Sequence, residues 1–185
     1  MKSVRGTFIV DIGGQTHNTE VKLSGGQVLY IDPTYKPTFH AKTEGVVKGS
    51  YNGSPVEEGD TLYFYYTVVE REDTIKFIEG KWYAIVPEDM VFFYKRGERI
   101  YSLNSRVGIR RYKLPEKEIG GIKIARNKVY SENQGEVCIH PDPEMIGKKV
   151  WFHDRCAFEN RINDEDIYVM VEDDITAVMS GYLPE

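Results

Sequence analysis

The stretch EIGGIKIAR, residues 118–126, follows a run of alternating charges and sets a glycine pair before two isoleucines that flank a lysine. LSGGQVLYI, residues 23–31, spells nearly the same phrase 95 residues earlier (121 − 26). Other landmarks recur around the two copies in the same order. TEGVVKG (43–49) matches NQGEVCI (133–139), EEGDTLYFYY (57–66) matches MIGKKVWFHD (145–154), and VPEDMVFFY (86–94) matches VEDDITAVM (171–179). At Gly26/Gly121, Gly45/Gly135, Gly59/Gly147 and Asp89/Asp174 the offsets are 95, 90, 88 and 85, shrinking monotonically. A duplication leaves such drift when the second copy loses residues only in connecting loops, where length changes cost little. The repeat predicts two tandem domains, residues 1–97 and 98–185.

Strand signals dominate between these landmarks. GTFIVDI (6–12), TLYFYYTVV (61–69), KWYAIV (81–86), MVFFYK (90–95), SRVGIRRY (105–112), GEVCIH (135–140), KKVWFHD (148–154) and IYVMVE (167–172) are short, rich in β-branched or aromatic residues, and bounded by Gly, Pro, Asn or Asp. No window keeps a helical period for three turns. The expected class is all-β, built from small barrels or sandwiches.

Composition narrows the function classes. The 185 residues are 41% hydrophobic, enough for one ordinary or two small cores, and no run of 18 apolar residues offers a membrane span. MKSVRGTFIVDIGG lacks the apolar core and cleavage site of a signal peptide, so a cytoplasmic setting is expected. Two cysteines, Cys138 and Cys156, make no disulfide framework. A net charge of −5 gives no basic footprint for nucleic acid or anionic lipid, which points to protein partners.

The second repeat carries a recognisable pattern. IYSLNSRVGIRRY, a charged loop, GGIKI, a GEV strand start, GKKVWFHD and the closing IYVMVEDDITAVM together resemble the GroES family of co-chaperonins along nearly the whole repeat. Ile100, Leu103, Arg106, Val107 and Ile109 fit the family's opening strand, Gly147 through Asp154 its glycine-led strand, and Glu172 through Met179 its acidic-then-apolar terminus. The first repeat is similar at Gly25, Gly26, Val28 and Leu29, at Gly45-Val46, at Gly59-Asp60 and in PEDMVFF. The resemblance implies two tandem GroES-like β-barrel domains that assemble into a homo-oligomeric ring, cap a GroEL-type chaperonin, and enclose an unfolded protein substrate. It also implies that the docking groups are Gly25, Gly26, Gln27, Val28 and Leu29 in one loop and Gly120, Gly121, Ile122, Lys123 and Ile124 in the other. Terminal strands around Met90–Tyr94 and Ile175–Met179 would make contacts between domains.

The polar, glycine-bounded segment GGQTHNTEVKLSGG (13–26) suits a loop that orders on binding. One buried Ile or Leu contributes roughly 1.5–3 kcal/mol, which barely offsets the ordering of its loop, so many loops must engage together. Family triplets are usually apolar throughout, whereas Gln27 and Lys123 are polar. The alternative is therefore a GroES-fold interaction or assembly protein, of viral type, that no longer binds chaperonin. The chain is too short between Val46 and Gly59, and between Val137 and Gly147, for the family's roof hairpin, which implies an open-topped dome.

Other constellations are weaker. Cys138, His140, His153 and Cys156 form a C-x-H…H-x-x-C set that zinc could use, but the spacing matches no known knuckle and the first repeat has no counterpart. The acidic clusters NDEDIY (163–168) and VEDD (171–174) lack the glycine and terminal glutamate of a calcium loop and read as solvated turns. Alternation puts Tyr63 and Tyr65 on one strand face and Phe64 and Tyr66 on the other, as core and interface. With no nucleophile elbow, no phosphate-cradling loop and no H-E-x-x-H, neither an enzyme nor a cofactor is expected.

Overall fold

A computed structural model describes residues 3–14, 16–17, 20–22, 27–30, 41–114, 117–119, 122–124, 130–153, 158–163 and 165–179. By packing, the chain divides into two compact units, Met1–Asn104 and Ser105–Glu185. Both are β-structures.

The first unit contains β1 (Thr7–Gly13), β2 (Glu20–Lys22), β3 (Val28–Tyr30), β4 (Glu44–Gly49), β5 (Thr61–Phe64), the helical turn α1 (Thr67–Glu70), β6 (Ile75–Ile78), β7 (Lys81–Pro87), β8 (Val91–Arg96) and β9 (Arg99–Ser102). Its main sheet is antiparallel, in the order β6-β7-β1-β4-β5-β8-β9, with β2 and β3 paired apart from it. The second contains β10 (Arg106–Lys113), β11 (Lys117–Ile119), β12 (Ile122–Ile124), β13 (Tyr130–Ile139), β14 (Lys149–Phe152), β15 (Phe158–Ile162), β16 (Glu165–Val171) and β17 (Ile175–Val178). Its sheet runs β15-β16-β10-β13-β14-β17, with β11 and β12 paired apart. Strand for strand the two orders coincide, except that β9 has no counterpart among the described residues of the second sheet.

The correspondence reaches single hydrogen bonds. Val47 N–H donates to Asp60 O and Gly59 N–H to Val47 O, at 2.8 and 2.9 Å; Val137 N–H donates to Lys148 O and Gly147 N–H to Val137 O, at 2.9 and 2.8 Å. Gly59 and Gly147 adopt φ of +97° and +82°, a left-handed conformation that glycine takes without steric cost. A Cβ on Gly45 would lie 2.6 Å from Asp11 O, and one on Gly135 would lie 2.6 Å from Arg110 O. The sequence matches TEGVVKG/NQGEVCI thus mark one close approach of two strands, built twice.

Equivalent positions fill both cores. Phe8, Val10, Val47, Leu62, Phe64 and Val86 in the first sit where Val107, Ile109, Val137, Val150, Phe152 and Met170 sit in the second, all buried. Strand alternation produces this: in β1 the side chains of Phe8, Val10 and Ile12 point inward while their neighbours are half exposed.

Three expectations change. The strand expected over 61–69 ends at Phe64; Val68 and Val69 then enter the core from α1, whose amides bond to Tyr65 O and Tyr66 O at 3.1 and 3.0 Å. The match Asp89/Asp174 slips by one residue, because the 3-10 turns Glu88–Met90 and Glu172–Asp174 are equivalent and bring Met90 opposite Asp174. Tyr65 N–H reaches Met90 O, and His153 N–H reaches Asp174 O. A one-residue slip reverses every side chain of a strand, so hydrogen bonds decide this register where sequence similarity does not. Gly97, where the sequence places a boundary, belongs to the two-residue turn of the β8–β9 hairpin, which pairs Arg96 with Arg99.

Candidate docking hairpins

The connection from β1 to β4 carries the hairpin β2–β3, and the one from β10 to β13 carries β11–β12. In the first, Lys22 pairs with Val28, Val21 with Leu29 and Glu20 with Tyr30. In the second, Lys117 pairs with Ile124, Glu118 with Lys123 and Ile119 with Ile122. The polar segment 13–26 is therefore not without backbone partners: Glu20–Lys22 is a strand, and His17 bridges Ala41.

The ten residues expected to dock fall as follows. Gly25, Gly26, Gly120 and Gly121 lie outside the described residues. Gln27 is exposed and precedes β3; Val28 and Leu29 are in β3, and Ile122, Lys123 and Ile124 form β12. Matching the two strands pairs Val28-Leu29-Tyr30 with Ile122-Lys123-Ile124. Tyr30 thus completes the first triplet, which is apolar throughout, and Gln27 stands before it. The strand match differs by one residue from the glycine-pair match, which sets Gln27 against Ile122.

Val28, Leu29 and Tyr30 are 42%, 54% and 77% exposed. Three consecutive apolar side chains held on a two-stranded hairpin outside the sheet present area that burial against a partner would stabilise, at roughly 1.5–3 kcal/mol per side chain. An isolated two-stranded hairpin is marginal in water, so a partner that adds contacts also fixes its conformation.

Elsewhere among the described residues, the charged side chains pair largely with one another. A concave surface of about 530 Å³ is lined in part by Arg110, Arg111, Tyr130, Glu159 and Glu165. Arg110 already meets Glu165 at 2.5 Å, and Arg111 meets Glu159 at 2.6 Å with its guanidinium over Tyr168. Cys138 donates to Gly108 O at 3.2 Å, and burial pushes its thiol up to about 11, far from a reactive thiolate. His140 is buried, with Nδ1 accepting from Asp142 N–H at 2.9 Å. Cys156 lies outside the described residues, and among the described residues no three His, Cys, Asp or Glu side chains come together as a metal site. Tyr63 and Phe64 are both buried, Tyr66 packs on the core, and Tyr65 lies 4.2 Å from the Phe92 ring, so this aromatic run is packing. No described helix is long and apolar enough to cross a membrane.

Compared with models of known protein families and with curated proteins, the chain matches none.

Proposed function

We propose that this chain is a tandem co-chaperonin: two GroES-like barrel domains that join in a ring, dock their hairpins on a GroEL-type chaperonin, and close a chamber over an unfolded protein. The observation that carries it is the exposed apolar triplet Val28-Leu29-Tyr30 on a hairpin projected between the first two core strands, with a second hairpin at the same place in the repeated strand order. A protein that needed these side chains for its own core would not hold all three in water. On this reading the chain performs no chemistry, and nucleotide hydrolysis belongs to the chaperonin.

Mixing the protein with a chaperonin and adenine nucleotide on a native gel tests the proposal. A nucleotide-dependent shift, weakened by Leu29→Ser in a chain of unchanged circular dichroism, is expected; an intact protein that gives no shift sinks it. Lys123, a charge in the middle of the second triplet, favours a second reading, an assembly protein that keeps the fold without docking. Replacing Lys123 by valine strengthens capping on the first reading and creates none on the second.

A further inference from the structure

An asparagine side chain can react with its own backbone, because the amide nitrogen of the next residue can reach the carboxamide carbon and close a five-membered ring. The fold decides where this happens, since that nitrogen must be unshielded and the carboxamide free to turn towards it. Asn104 is held: its carboxamide donates to Glu88 O at 2.6 Å and to Val91 O at 3.4 Å. Asn133 sits in β13 and accepts from the Ser131 hydroxyl, and Asn160 is buried within β15. Asn52 is different. It is the one asparagine of the chain that a glycine follows, and no β-carbon shields a glycine nitrogen.

Tyr51-Asn52-Gly53-Ser54, in the connection from β4 to β5, is a turn closed by Ser54 N–H donating to Tyr51 O at 3.2 Å. Gly53 has φ of +88°, the value that the third position of a type II turn requires, so the Asn52–Gly53 peptide lies across the turn and outside its hydrogen bond. Both residues are exposed, and among the described residues neither the Asn52 carboxamide nor the Gly53 amide makes a hydrogen bond. A Cβ built on Gly53 would meet nothing within 4 Å, which leaves room for a ring. Arg5 lines the same surface cavity of about 330 Å³. A cation there favours both the amide anion that attacks and the carboxylate that results. The equivalent connection of the second repeat carries Pro141-Asp142-Pro143 and has no asparagine.

We infer that Asn52 is a modification site, at which the folded chain deamidates without an enzyme. Hydroxide takes the Gly53 amide proton, the nitrogen bonds to Cγ of Asn52, and the carboxamide C–N bond breaks to release ammonia. Water then opens the imide. Breaking the new N–Cγ bond gives aspartate. Breaking the bond from the Gly53 nitrogen to the Asn52 main-chain carbonyl carbon gives isoaspartate, whose backbone runs through the side chain and is one methylene longer. Nothing is oxidised or reduced, and either product adds one negative charge to a chain of net charge −5. The isoaspartyl product is the chemical group on which protein carboxyl methyltransferases of the isoaspartyl class act. The inference stands on this turn and not on chaperonin docking.

Ageing the folded chain in mildly alkaline buffer, digesting it and weighing the peptides tests this. The peptide with Asn52 should gain the mass of an NH-to-O exchange and split into two chromatographic forms, aspartate and isoaspartate. In a parallel sample in urea Asn52 should convert at a similar rate, because the turn does not protect it. Asn104 should stay intact in the folded chain and convert faster in urea, because its hydrogen bonds are then lost. An isoaspartyl methyltransferase given labelled S-adenosylmethionine should label the aged wild type, and Asn52→Gln, of unchanged circular dichroism, should lose most of that label. Asn52 that stays intact in the folded chain while converting in urea, folded chains in which Asn52 and Asn104 convert alike, or equal labelling of wild type and Asn52→Gln would overturn the inference.

Discussion

Gly45 and Gly135 mark the tightest points of the two sheets. At each, a methyl group would press on a backbone oxygen of the neighbouring strand at 2.6 Å, which no rotamer change relieves. Gly45→Ala and Gly135→Ala should each lower stability by about 1–3 kcal/mol, read as a shift in urea midpoint. A charged pair sets the acid sensitivity of the first unit. Burial pushes the Asp60 carboxyl up, but Arg96, at 2.9 and 2.8 Å, together with the Glu57 amide at 2.8 Å, holds it below the usual carboxylate range. A carboxyl lowered by folding contributes stability above its unfolded pKa of about 3.9, and that stability is lost as pH falls through the lower folded value. Urea midpoints followed downward from neutral pH should show wild type losing stability below about pH 4, and Asp60→Asn starting lower with a flatter profile.

Among the elements, β9 and the hairpin β2–β3 make opposite demands on their apolar residues. Leu103 closes the edge of the first sheet and is buried; Leu29 lies on a hairpin and is half exposed. Leu103→Ala should therefore cost about 2–5 kcal/mol in a denaturation experiment, while Leu29→Ser should leave the midpoint unchanged and act on capping alone. The reverse result would place the hairpin in the core. Edge strands were also the hardest to read. IKFI of β6, RIYS of β9 and FENRI of β15 neither alternate cleanly nor run apolar, because an edge strand is buried on few sides and its side chains answer to local contacts.

For the whole molecule, on the proposed function duplication would convert weak contacts into a usable one. The first hairpin exposes Val28, Leu29 and Tyr30, and two linked hairpins would bind with an effective concentration that raises avidity by about 10²–10⁴ over one alone. Silencing only the first hairpin of every chain, by Leu29→Ser, should accordingly weaken capping by more than tenfold in a titration against chaperonin. A loss of about twofold would mean that the hairpins act independently and that the second carries the binding.

The repeat itself, the all-β class and the central strands were legible in the sequence, for a physical reason: glycines at close approaches and left-handed turns are costly to replace, and alternation in strands such as TFIVDI is enforced by a buried face. The two glycine-led phrases were legible as a repeat, but which residues match was not: strand pairing sets Val28-Leu29-Tyr30 against Ile122-Lys123-Ile124, and pairing partners lie outside the phrase. The register of Met90 against Asp174, the turn from β5 into α1 and the burial of Leu103 were decided only by tertiary structure. Each depends on which surface a distant strand supplies, and that surface is not written in the local sequence.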